Sequence, residues 1–99
     1  MSRRLKLHSK LKELLGNENV YYQAPANMKY PAIKYSKQKP NTRFANNKIY
    51  SNMECYQLIV IDKKPDNPVI DKLLELQYCT WNNHYVADNL NHDVLTIFI

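Results

Sequence analysis

The 99-residue chain is poor in glycine and cysteine and lacks long apolar runs. Gly16 is the only glycine, which excludes phosphate-binding loops built from clustered glycines. Two cysteines, Cys55 and Cys79, are too few for a disulfide-stapled secreted fold, so we expect a reducing, cytosolic environment. No apolar run exceeds five residues, whereas a membrane-spanning helix needs about twenty. The sequence therefore predicts neither a glycine-loop nucleotide-binding protein nor a membrane protein.

Charge is distributed unevenly along the chain. Residues 1–50 carry eleven Lys and Arg against two Glu, a net charge of +9, and residues 51–99 carry three Lys against seven acidic residues, a net charge of −4. Three interpretations fit this asymmetry: binding to nucleic acid or an acidic partner, head-to-tail attraction between copies of the chain, or a solvated surface without a partner. The length predicts a single domain covering residues 1–99.

Hydrophobic periodicity predicts two helices. One apolar stripe lies on a helix from about Ser2 to Leu15, which Gly16 ends in a left-handed conformation. Its members are Leu7, Leu11, Leu14 and Leu15. A second helix begins with Asn67 as N-cap and Pro68 at the first helical position, and its predicted buried face consists of Val69, Ile70, Leu73, Leu74 and Leu76.

Alternating and β-branched residues predict the strands. The first three strands are Val20–Tyr22, a strand that starts at Pro31 and includes Tyr35, and Ile49–Asp62. The fourth runs over Tyr78–Trp81 and His84–Ala87, with a break or bulge at Asn82 and Asn83. After a turn over Asp88–Asn91, the last strand is Asp93–Ile99. Between them, KQKPNTRFANN (Lys37 to Asn47) reads as a long exposed loop or hairpin tip. The predicted fold class is α+β: an antiparallel or mixed sheet of about five strands with two helices on one face, in the order α-β-β-β-α-β-β.

Two helices can cover only one face of such a sheet. In the last strand Leu95, Ile97 and Ile99 point to one face, while Val94, Thr96 and Phe98 point to the other. Because monomers rarely expose a large contiguous apolar patch, we expect Val94, Thr96 and Phe98 to contact a second subunit. The alternative is a strongly twisted sheet that curls and covers itself.

No pattern of residues predicts catalysis or a cofactor. The candidate metal ligands lack the spacing of a zinc site, and the candidate nucleophiles lack a local signature. The candidate metal ligands are His8, His84, His92, Cys55 and Cys79, and the candidate nucleophile pairs come from the same cysteines and histidines. Acidic residues such as Asp62, Asp66, Asp88 and Asp93 fall at element ends, where turns and caps use them. We therefore expect no enzyme activity, no metal and no cofactor.

Basic and aromatic residues are interleaved in the first half of the chain, which is also typical of surfaces that contact phosphates and stack bases. They are Tyr30, Lys34, Tyr35, Lys37, Lys39, Arg43, Phe44, Lys48 and Tyr50. No recognised nucleic-acid fingerprint accompanies them. A small basic nucleic-acid-associated accessory protein is therefore the alternative hypothesis, and a small regulator that binds an acidic partner is a third.

Several stretches resemble the tail-completion, or tail-terminator, proteins of long-tailed bacteriophages. The matching stretches are VYYQAP (Val20 to Pro25), YPAIKY (Tyr30 to Tyr35), ECYQLIVI (Glu54 to Ile61) and the helix from Val69 to Leu76. With the helix that precedes them and the strands that follow, the similarity covers nearly the full length.

The resemblance implies a structural virion protein of the head–tail interface, assembled in the host cytoplasm. It implies a homo-oligomeric ring, typically a hexamer, that ends growth of the tail tube and contacts the tail tube protein and the head connector. DNA would pass through the lumen without being read. We expect the loop residues Lys37, Lys39, Arg43, Phe44, Asn46 and Asn47 to contact partners when the ring assembles.

Overall fold

Two helices and five strands build an α+β fold, described by a computed structural model over residues 3–23, 29–38, 54–64, 66–76 and 78–99. In chain order they are α1 (Arg3–Leu15), β1 (Val20–Tyr22), β2 (Ala32–Gln38), β3 (Cys55–Asp62), α2 (Pro68–Leu74), β4 (Cys79–Ala87) and β5 (Leu90–Phe98). The sheet order is β1-β2-β3-β5-β4, with β1 and β2 parallel and the other neighbours antiparallel. The predicted class and element order are confirmed.

Both helices pack on the same face of this sheet. The face is formed by alternate strand residues, namely Ile33 and Tyr35 of β2, Tyr56, Leu58 and Val60 of β3, and Leu95 and Ile97 of β5. Leu11 of α1 and Leu73 of α2 have no exposed surface and lie in the same cluster. Burial of such side chains stabilises the fold by about 1.5–3 kcal/mol each.

The helix ends follow from local chemistry. Gly16 has a φ of 83° and its N–H donates to the Lys12 carbonyl at 2.9 Å, which ends α1 in the predicted left-handed conformation. At the start of α2 the Asn67 side-chain oxygen accepts from the Val69 N–H at 2.9 Å. The Asn67 amide also donates to Asp62 at 2.8 Å, which ties α2 to the end of β3.

The prediction of a loop from Lys37 to Asn47 is wrong for its first two residues. Lys37 and Gln38 belong to β2, where Lys37 is the register partner of Tyr56. The strand continues because β3 supplies an antiparallel partner at these positions, which a polar sequence cannot indicate. Residues 39–53 lie outside the described part of the chain, so the strand predicted from Ile49 is observed from Cys55.

The hairpin β4–β5 is tighter than predicted. Asp88 and Asn89 both have positive φ, at 53° and 62°, and form a two-residue turn. Leu90 and Asn91, predicted as turn residues, therefore belong to β5. The predicted irregularity at Asn82 and Asn83 is confirmed as a register shift between Trp81 and Asn83 within one continuous strand.

Replacing Asn67 tests how much its hydrogen bonds at the start of α2 contribute to the stability of the fold. We expect Asn67→Ala to lower the free energy of unfolding by about 0.5–2 kcal/mol, since an orphan helix N–H loses its acceptor. Urea unfolding followed by circular dichroism measures the change. Asn67→Ser is the matched control, because it keeps a capping oxygen. Equal losses in both variants would show that the bond to Asp62, rather than the cap, is what stabilises this junction.

Candidate assembly surfaces

The sheet face opposite the helices is not continuously apolar. A polar row crosses it, because Ser36, Gln57, Thr96 and Thr80 are register partners from β2 to β4. Asn82 donates a hydrogen bond to the Thr96 hydroxyl. The next row contains Lys34 and Asn83 beside apolar residues. The sheet therefore does not present the single large apolar patch that the helix count alone suggested.

Val94, Thr96 and Phe98 lie on this opposite face, as their alternation predicts. Val94 and Phe98 are only 9% and 6% exposed within the single chain, whereas Thr96 is half-buried. Two of the three residues thus have little surface left to bury against a neighbour. Their contact with a second subunit stays a prediction, and Thr96 has the most surface available for it.

The structure describes one of the six residues predicted to bind partners. Lys37 is exposed at the end of β2, and its Nζ lies 3.5 Å from a Glu54 carboxylate oxygen. Lys39, Arg43, Phe44, Asn46 and Asn47 lie outside the described residues. The role proposed for this segment therefore remains a prediction.

Exposed apolar side chains collect on β4, the outermost strand beside β5. Trp81 is 48% exposed and Val86 is 64% exposed. Trp81 is oriented, because its indole Nε1 donates to the Asp93 carboxylate at 3.2 Å, and His84 Nδ1 lies 2.9 Å from the same oxygen. An exposed, oriented tryptophan is typical of an interface anchor. The bulge beside Trp81 also limits indiscriminate edge-to-edge pairing.

A cluster of aromatic and polar residues joins α1 to β1 and β2. His8 Nδ1 and the Tyr35 hydroxyl are 2.7 Å apart, and the Arg4 guanidinium carbon lies 4.7 Å from the centre of the Tyr22 ring. Burial, with Lys12 and Arg4 nearby, lowers the pKa of His8, and the more distant Glu18 only partly opposes this shift. This cluster holds the first half of α1 on the sheet.

An apolar groove of about 400 Å³ opens between α1 and the end of β5. We call it the basic groove. Its floor consists of Leu7, Leu76, Ile97 and Ile99, and its rim carries the cations Arg3, Lys6 and Lys10 from successive turns of α1. Lys10 lies 4.0 Å from Glu13, whereas Lys6 has no ion pair with any described residue. The groove combines apolar surface with three cations, of which Arg3 interacts electrostatically with Glu54 and Lys10 lies near Glu13.

A second surface has the opposite character. Asp71 and Leu74 of α2 and Glu75, the C-cap of this helix, are exposed, Leu74 to 42%. Since each residue turns a helix by about 100°, Asp71 lies opposite the buried Val69 and Leu73, with Leu74 and Glu75 beside it. We call these three residues the acidic helix face. It is an apolar side chain with two carboxylates on one side of it.

Within residues 3–23, 29–38, 54–64, 66–76 and 78–99 no group of three His, Cys, Asp or Glu side chains is placed to hold a metal ion. In the same residues no helix has the length and apolarity to cross a membrane. Cys55 and Cys79 are free and buried, and burial raises the pKa of the Cys79 thiol to about 11. A thiol in this state is a poor nucleophile.

Comparisons of the chain with protein-family models, with curated proteins and with solved structures find no match.

Sequence reasoning did not find the basic groove or the acidic helix face. Arg3, Lys6 and Lys10 could have been recognised as one stripe from their helical spacing. That this stripe borders Leu76 and Ile99 depends on the packing of α1 against the end of β5, which no local pattern encodes. On α2, the prediction that Leu74 belongs to the buried face is wrong: Leu74 is 42% exposed, because a turn of about 100° per residue carries it away from the buried Val69 and Leu73.

The lowered pKa of His8 gives a pH dependence of known sign. The unfolded chain takes up a proton near the ordinary pKa of 6.5, while folded His8 resists it, so stability is lost as pH falls through this value. We expect the free energy of unfolding to fall between about pH 7.5 and pH 5.5, and to fall less steeply in His8→Gln. Urea unfolding of both proteins at several pH values across this range measures the free energy of unfolding. Parallel curves for the two proteins would contradict the assignment to His8.

Proposed function

We propose that this chain is a subunit of a homo-oligomeric ring at the head-proximal end of a phage tail tube, where it ends tube growth and joins the tail to the head connector. The observation that carries the proposal is the α-β-β-β-α-β-β order with both helices on one sheet face. This is the arrangement that the resemblance to tail-completion proteins implies.

The surfaces of the single chain support assembly. A closed ring uses heterologous contacts, in which two different patches of one chain meet around the rotation axis. The basic groove on α1 and the acidic helix face on α2 differ in shape and charge sign, as such patches require. The exposed Trp81 and Val86 on β4 offer a further apolar surface for a different neighbour.

The chemistry of the described residues favours a structural role. Cys55 and Cys79 are buried, with raised pKa values. Asp93 is buried and occupied by Trp81 and His84. The two buried thiols are therefore poor nucleophiles, and the Asp93 carboxylate holds Trp81 and His84 in place.

The nucleic-acid alternative is less well supported by the geometry. Of the two described aromatic residues considered for base stacking, Tyr35 is only 2% exposed, whereas Tyr30 is exposed. The cations of α1 border an apolar floor, whereas a track for phosphates combines positive charge with accessible aromatic rings. This placement favours a protein partner with acidic and apolar side chains.

Electron microscopy of the purified protein tests the proposal. We expect annular particles, and we expect tail tubes from the same virus to carry one such particle at one end only, because the ring ends growth of the tube. Tubes incubated without the protein are the control.

The nucleic-acid alternative is tested in parallel by titrating the protein with duplex DNA at increasing salt. Affinity that falls steeply with salt, together with an absence of annular particles and of capped tubes, would favour the alternative and contradict the ring.

A further inference from the structure

Two surfaces on the helical layer have complementary shapes and charges. The basic groove provides an apolar cavity of about 400 Å³ rimmed by cations. The acidic helix face provides one exposed apolar side chain, Leu74, with the carboxylates of Asp71 and Glu75 on one side of it. Both belong to the same chain, so each copy carries the two complementary surfaces.

We propose that the basic groove of one copy receives the acidic helix face of α2 from a second copy. In this contact Leu74 enters the groove above Leu7, while Asp71 and Glu75 meet the cations Lys6 and Lys10. The inference rests on the proposed ring, and it identifies the pair of surfaces that joins adjacent subunits.

The charges near the groove favour this occupant. Lys6 has no acidic partner among the described residues, and the Lys10 Nζ lies 4.0 Å from a Glu13 carboxylate oxygen. Glu54, at the Arg3 end of the groove, is already engaged by the Tyr56 hydroxyl at 2.6 Å and by Lys37. The rim therefore retains positive charge that a second copy can neutralise, and unlike charges across an interface also select the correct partner.

The carboxylates of the acidic helix face also lack ion-pair partners among the described residues. No described ion pair uses the side chain of Asp71 or Glu75, and Lys72, the basic residue of the last turn, lies on the Glu75 side of the helix, away from Leu74. Leu74 is 42% exposed although its helix neighbours Val69 and Leu73 are buried. Burying Leu74 in an apolar groove would remove this surface from water.

The contact is heterologous, since the groove and the acidic helix face are different patches. It also explains the two-ended charge of the sequence. The cations come from the half with a net charge of +9, and the acids come from the half with a net charge of −4. Salt should weaken the contact through its exposed ion pairs without abolishing the apolar part.

Charge exchange between two variants tests the pairing. The groove variant carries Lys6→Glu and Lys10→Glu, and the helix variant carries Asp71→Asn and Glu75→Lys. Each variant alone places like charges across the contact, and we expect its self-association to weaken about tenfold or more, as sedimentation velocity measures. An equimolar mixture restores opposite charges at both junctions, and we expect it to assemble into alternating rings.

A control separates this effect from net charge. Lys63→Glu with Lys64→Glu changes the net charge as much as the groove variant does, at exposed residues in the turn after β3. We expect this control to assemble like the wild type. Circular dichroism verifies the fold of every variant. If a reversal unfolds the chain, the milder pairs Lys6→Gln with Lys10→Gln and Asp71→Asn with Glu75→Gln replace it, and each is expected to weaken assembly.

The outcomes distinguish the inference from the proposed function. If the wild type forms annular particles and both charge variants do so equally well, the pairing is wrong and the ring proposal stands. If both variants fail to assemble and their mixture also fails, the pairing is again wrong. If the wild type remains monomeric with and without tail tubes and does not cap them, both proposals are overturned. Rescue by mixing supports the pairing.

Discussion

Burial of one sheet face beneath two short helices is the constraint on which the rest of this structure depends. Leu11 and Leu73 have no exposed surface, and they meet Leu58 and Leu95 of the central strands in one cluster. Each helix is too short to be stable in isolation. The helices therefore exist because the sheet receives their apolar stripes, and their outward faces are free to carry charge.

This arrangement places different chemistry on different sides of the molecule. The helical layer carries the basic groove and the acidic helix face, whereas the opposite sheet face carries a polar row that includes Gln57 and Thr96. The outer strand β4 adds exposed Trp81 and Val86. Several distinct surfaces on one chain fit the proposed ring, in which different patches of each copy would meet its neighbours.

Local signals explain what the sequence alone could predict. Gly16 and the Asn67–Pro68 pair encode helix ends through backbone conformation and capping, so they could be identified without a structure. Strand alternation separated Leu95 from Val94 correctly. Where a signal needed a distant partner, prediction failed: Lys37 belongs to β2 only because Tyr56 pairs with it, and Leu90 joins β5 because the turn needs only two residues.

The surfaces were harder to predict for a physical reason. Side-chain alternation places Val94 and Phe98 on the face without helices, but it does not measure how much of each remains exposed. The basic groove depends on the approach of α1 to Ile97 and Ile99, residues more than eighty positions away in sequence. If copies join through this groove and α2, the ring is held by its helical layers. The edge strand β4 and the polar sheet face would then remain available for the tail tube and the connector, the partners in the proposed function.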